Sequence, residues 1–144
     1  MPFEFHTKRR IEFVDVDLAG FVHFSRFFIF METAEHEFLR SLGTSVHTQI
    51  DGHEIGWPRL AASCEYLSPA GFEEVLDIQI VVMRKGRTSM TYDFVFRRES
   101  TLIAKGRISS ICCTIDPLRG LKPMPIPDFL ARKLQARPER LKKR

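Results

Sequence analysis

Three cysteines in 144 residues cannot supply a paired disulfide framework, which argues against a small cross-linked secreted scaffold. Long apolar runs are also missing. The longest covers residues 27–31, far short of the roughly 20 residues that span a bilayer. The first ten residues lack the apolar core of a secretory signal. Together with free thiols, this gives a cytoplasmic expectation and no membrane partner. There is no Gly-rich phosphate-cradling loop and no Gly-x-Ser-x-Gly nucleophile turn. Cys64, Cys112 and Cys113 lack metal-ligand spacing and read as buried small hydrophobes; His6, His36, His47 and His53 form no ligand pattern either. No metal or other cofactor is expected. Low hydrophobicity is absent too: 44% hydrophobic against 28% charged residues argues against disorder.

The net charge of +4 is unevenly distributed. Residues 132–144 carry seven basic side chains and one acidic, a net of +6. The remaining 131 residues carry 15 basic and 17 acidic, a net of −2. A nucleic-acid binder usually shows a basic face on the folded body, so no nucleic-acid partner is expected. Residues 1–136 read as one domain and residues 137–144 as a flexible basic tail.

Residues 4–14 read as a strand. A polar turn follows at residues 15–20. Residues 25–42 give the clearest helix: Phe27, Met31, Ala34, Phe38 and Leu42 recur at three- and four-residue spacing. Ser25 stands at its N-cap and Gly43 just past its end. Residues 44–58 read as a polar connection with an irregular turn. Strands are then expected over 60–66, 75–84, 89–98 and 102–115, with hairpin signals at Ser68–Gly71 and Lys85-Gly86-Arg87. Residues 89–98 alternate with nearly ideal period two. Residues 116–127 read as a proline-rich loop and 127–136 as a short helix. These elements predict an α+β fold, with a five-stranded antiparallel sheet wrapped around one long helix. One helix cannot cover every edge, so the sheet edge is expected to dimerise.

The run Asp15-Val16-Asp17-Leu18-Ala19-Gly20-Phe21-Val22-His23-Phe24-Ser25-Arg26-Phe27-Phe28 resembles the signature of hotdog-fold acyl-CoA thioesterases, closest to the 4-hydroxybenzoyl-CoA thioesterase group. Glu32 and Ala34, the helix ending Phe38 to Gly43, Trp57-Pro58, Tyr66-Leu67-Ser68-Pro69 and Lys85-Gly86-Arg87-Thr88-Ser89 also look like that family. The resemblance covers about residues 5–130. It implies Asp17 as the catalytic carboxylate and the Phe24 backbone N–H, seven residues later, as the group that polarises the thioester carbonyl. It also places the cations near Gly86 against the nucleotide end of coenzyme A. Family members often carry an aromatic residue and then a His or Tyr where this chain has His23 and Phe24.

The residues support the same chemistry independently. Thioester hydrolysis needs a nucleophile or base and a stabilised oxyanion. Asp17 precedes Gly20, where backbone can approach a ligand, and the chain then enters a helix whose N-terminus offers the unpaired Phe24 or Ser25 N–H, of which the resemblance implies Phe24. The expected catalytic set is Asp17, the Phe24 N–H, Gly20 and His23, with Asp15 able to point the same way as Asp17. Phe21, Phe27 and Trp57 are the expected acyl-binding residues. Arg84, Lys85, Gly86, Arg87 and Ser89 are the expected coenzyme A contacts. Glu32 and Glu35 read as solvated or structurally paired. The expected activity is hydrolysis of an aryl- or fatty acyl-CoA to free acid and coenzyme A by a homodimer or homotetramer. Three alternatives stand beside it: a thioester on an acyl carrier protein, a non-catalytic acyl-CoA or carrier-protein binding module, and dehydration of a hydroxyacyl thioester.

Overall fold

Apolar residues at helical spacing must find a surface to bury against, and here that surface is a sheet. In the computed structural model, which describes residues 3–138, α1 (Arg26–Ser41) buries Phe27, Phe30, Met31, Ala34, Glu35, Phe38 and Leu39. It lies across five antiparallel strands: β1 (Glu4–Arg10), β4 (Arg59–Tyr66), β5 (Val75–Lys85), β6 (Ser89–Arg98) and β7 (Thr101–Ile111). Their spatial order is β1-β5-β6-β7-β4. Strand β6 shows why one face holds the helix, since Met90, Tyr92, Phe94 and Phe96 are buried and alternate with residues on the opposite face. Phe96 meets Phe27 edge-on at 5.3 Å, and Tyr92 meets Phe38 at 6.3 Å. Gly106 on β7 permits the close approach, because a Cβ there would lie 2.5 Å from the Met31 sulfur.

Four boundaries differ from expectation, each for a local reason. Strand β1 stops at Arg10 because Phe13–Asp15 forms a 3-10 turn, closed by the Asp15 carboxylate accepting from the Glu12 N–H at 2.8 Å. Residues 44–58 contain a true hairpin, β2 (Thr48–Ile50) and β3 (His53–Gly56). Its turn is Asp51-Gly52, both at positive φ, the conformation that a two-residue turn between twisted strands requires. The expected strand 102–115 breaks at Cys112, whose N–H donates to the Thr88 carbonyl. Beyond it, β8 (Cys113–Asp116) and β9 (Gly120–Pro123) join β2 and β3 in a second, four-stranded sheet, so part of the expected proline-rich loop is strand. The last helix, α2, is only Asp128–Ala131.

Leu130 and Leu134 are buried, and the Arg137 N–H donates to the Val82 carbonyl at 2.7 Å. Most of the expected basic tail, residues 139–144, lies outside the described residues. Among those described, no helix is long and apolar enough to cross a membrane.

Candidate active site

Asp15 organises the loop that leads into α1. Its side chain is wholly buried, and Oδ1 accepts from the Arg26 guanidinium at 2.8 and 3.0 Å. Arg9 of β1 lies 3.6 Å from the same oxygen, while its guanidinium carbon sits 4.8 Å from the centre of the Phe30 ring. The Asp15 carbonyl accepts from the His23 N–H at 2.8 Å. One residue therefore ties together the end of β1, the 3-10 turn, the approach to α1 and the first residue of α1. The expectation that Asp15 would share a face with Asp17 is corrected. The 3-10 turn rotates Asp15 inward to its arginines, and Asp17 faces solvent.

Asp17 sits on a tight reversal. Its N–H donates to the Phe21 carbonyl and its carbonyl accepts from Gly20 N–H. Gly20 has φ +87°, a conformation that costs glycine little. Asp17 Oδ1 accepts from the Ala19 N–H at 2.9 Å. Among the described residues Oδ2 has no hydrogen-bond partner. The chain returns through Val22, whose N–H is held by the Ala70 carbonyl, and enters α1 through Phe24 and Ser25. The Phe24 N–H has no acceptor among the described residues. Asp17 and Phe24 line one cavity of about 380 Å³ with Phe21, Phe27, Tyr66 and Ser68 among its other walls. Phe27 forms its floor, packed edge-on against Tyr66 at 5.6 Å and against Phe96.

The remaining expected site residues separate. Phe21 and Phe27 line the cavity; Gly20 does not, and instead lines a neighbouring hollow with Phe13, Leu18 and Phe72. His23 does not line it. Its ring packs on Phe24 at 4.6 Å, and its Nδ1 lies 2.7 Å from Ser25 Oγ and accepts from the Ser25 N–H at 3.3 Å. A backbone N–H can only donate, so in the neutral ring Nδ1 is the acceptor and Nε2 carries the proton. Ser25 occupies the N-cap position, yet its hydroxyl serves His23 rather than the helix. Trp57 does not line the cavity either; it is buried in the core.

At the β5–β6 hairpin, Arg84 and Arg87 are exposed and unpaired among the described residues. Gly86 and Ser89 close the turn through a 2.8 Å backbone bond. Lys85 is already engaged: its ammonium donates to the Ala131 and Leu134 carbonyls at 2.7 and 2.8 Å, clamping the C-terminal segment.

Glu35 is structurally paired, as expected. It is buried and takes both ends of the Arg59 guanidinium at 2.6 and 2.8 Å, with Ser110 Oγ and Glu32 completing the cluster. These carboxylates hold the guanidinium above its ordinary pKa against the opposing effect of burial. Sequence patterning did not give Arg59 as the partner of Glu35, and it missed the hydroxyl of Tyr66, which donates to the Phe24 carbonyl at 3.0 Å. The signals for Tyr66 were its place at the end of a strand and its membership of the Tyr66-Leu67-Ser68-Pro69 run that resembles the family, and neither gives the hydroxyl a role.

The chain is similar to known proteins in sequence and in fold. The sequence pattern of the Thioesterase-like superfamily matches residues 11–134. A protein of Aquifex aeolicus named "Putative esterase" is 33% identical over 106 residues, 73% of this chain and 80% of that protein. Escherichia coli "Acyl-CoA thioester hydrolase YbgC" is 26% identical over 119 residues, 82% of this chain and 86% of the relative. The solved 1,4-dihydroxy-2-naphthoyl-CoA thioesterase from Synechocystis superposes with a TM-score of 0.79 at 24% identity, covering 89% of this chain and 93% of that one. The chain belongs to the thioesterase-like superfamily and has the hotdog fold, as the Asp15–Phe28 segment implied. It is by class a thioester hydrolase.

Proposed function

We propose that the protein hydrolyses acyl-CoA thioesters, with Asp17 as the reacting carboxylate and the Phe24 N–H as the oxyanion donor. The observation that carries this reading is that Asp17 and Phe24, with a free carboxylate oxygen and a free N–H, open onto one aromatic cavity. A thioester carbonyl placed between them accepts from Phe24 N–H, with the positive end of α1 behind it. Asp17 then attacks the carbonyl carbon or takes a proton from an attacking water. In the first case loss of the thiolate leaves a mixed anhydride on Asp17, which water cleaves to the free acid and the Asp17 carboxylate. In the second the attacking water adds directly, the carbon–sulfur bond breaks, and the proton held by Asp17 passes to the departing thiolate.

The aromatic walls suit an aryl or apolar acyl group. Arg84 and Arg87 are the cations we assign to the phosphates of coenzyme A; Lys85 is withdrawn from that set by its C-terminal clamp. No metal or redox group enters the scheme. Free cysteines favour the cytoplasm. Among the described residues strand β4 is an unpaired edge, with exposed Leu60 and Tyr66, which supports assembly of two copies along it.

The test is free-thiol release from a panel of aryl, short-chain and long-chain acyl-CoA, together with the same acyl groups on a carrier protein. Turnover of one class supports the reading. Tight calorimetric binding of an acyl-CoA with no turnover anywhere in the panel would instead make the protein a binding module.

A further inference from the structure

We propose that Tyr66 is a positioning residue for the peptide group that receives the thioester carbonyl, an assignment that rests on the function proposed above. Phe24 stands between two peptide planes, and each is pinned through its carbonyl. The His23 carbonyl, on the plane that carries the Phe24 N–H, accepts from the Arg26 N–H at 2.9 Å. The Phe24 carbonyl, on the next plane, accepts from the Tyr66 hydroxyl at 3.0 Å. The helix does not hold this second carbonyl, because the Phe28 N–H turns instead to Ser25 O at 3.2 Å. Among the described residues, Tyr66 is its only donor. With both planes fixed, the backbone angles of Phe24 are fixed, and so is the direction in which its N–H points.

Tyr66 is itself well placed to act as an anchor. It ends β4, which is ladder-bonded to β7, and its ring packs edge-on against the buried Phe27. Partial burial and the neighbouring Cys64 hold its hydroxyl above the ordinary tyrosine pKa, so it stays a donor through the working pH range. Phe24 is otherwise a solvent-exposed residue at a helix entry, the kind of site where peptide planes rock freely. An oxyanion donor must hold its direction within about 10–20° to be useful. The Tyr66 hydroxyl supplies that constraint from the far wall of the same cavity.

Tyr66→Phe keeps the ring and its packing while removing the donor. We expect kcat to fall about tenfold, the rate equivalent of roughly 1.4 kcal/mol. KM should stay within about twofold, and the limbs of the pH–rate profile should not move. In ¹⁵N relaxation, the Phe24 amide order parameter should drop from the rigid value of about 0.85 while the interior of α1 is unchanged. A raised KM with kcat retained would make Tyr66 a substrate contact and overturn the assignment. Unchanged kcat with an equally rigid Phe24 amide would overturn it too. If the wild type hydrolyses thioesters and Tyr66→Phe matches it, only the Tyr66 assignment falls. If the wild type hydrolyses none, the functional reading falls, and the relaxation experiment still decides whether Tyr66 fixes Phe24.

Discussion

Replacing Asp15 with asparagine should separate the scaffold of the site from its chemistry. Asn has nearly the same shape and keeps an acceptor for the Glu12 N–H, but it carries no charge. Arg26 and Arg9, with side chains 27% and 26% exposed, would then face a neutral group inside the protein. Arg9 has little to fall back on, because among the described residues its Nε is already buried without a partner, and its guanidinium lies over the face of Phe30. Breaking a buried ion pair from one side costs about 3–5 kcal/mol, against about 0–1 for a surface pair. Partial exposure of both guanidiniums places this case at the lower end, about 3 kcal/mol. For a chain of this size that corresponds to a fall of roughly 10 °C in Tm. The assay is urea unfolding at fixed protein concentration, with activity followed in parallel. Turnover should fall as well, because Asp15 sets the spacing between the Asp17 reversal and the helix entry. A loss under about 1 kcal/mol with full turnover would refute the view that Asp15 holds the site together.

Three further outcomes follow from charge and burial. Burial pushes the Cys64 and Cys112 thiols from 9.0 up to about 11. Their thiolate fraction at neutral pH is then about a hundredfold below that of a free thiol, so alkylation at pH 7.5 should be slow until the protein is unfolded. The same shifts set a sign for stability. Between pH 9 and about 11 the unfolded chain releases thiol protons that the folded chain retains, so stability should fall with rising pH in that window. Rapid stoichiometric labelling of the native protein would contradict this. At the β5–β6 hairpin, Arg84→Ala with Arg87→Ala should raise KM for an acyl-CoA by about tenfold, roughly 1.4 kcal/mol. A short thioester without phosphates should be unaffected. An equal effect on both substrates would remove these arginines from coenzyme A binding.

The parts of the fold with strong periodicity were legible in sequence. The 3.6-residue recurrence of Phe27, Met31, Ala34 and Phe38 located α1, and the two-residue alternation through Tyr92, Phe94 and Phe96 located β6. Short strands carry too few residues to show a period. The β2–β3 hairpin escaped notice although Asp51-Gly52 is a strong turn signal, and β8 and β9 were obscured by flanking prolines. At the site, the Asp17–Phe24 spacing was legible because both groups lie on one short segment. The Tyr66–Phe24, Arg59–Glu35 and Lys85–Leu134 contacts join residues 42, 24 and 49 positions apart. No local pattern reports such pairings. Lys85 looked like a surface cation in sequence because nothing near it shows that the C-terminal carbonyls come back to meet it.

The central claim is that Asp17 performs the chemistry on a thioester held against Phe24 N–H. The most direct test is kcat for the best acyl-CoA with the wild type and with Asp17→Asn, alongside the affinity of each for a non-hydrolysable acyl-CoA. Asn keeps the size and an acceptor for the Ala19 N–H but can neither attack nor take a proton. The account predicts a rate at least about a hundredfold lower, roughly 2.7 kcal/mol of barrier, with affinity preserved. An Asp17→Asn protein that turns over near the wild-type rate would contradict it.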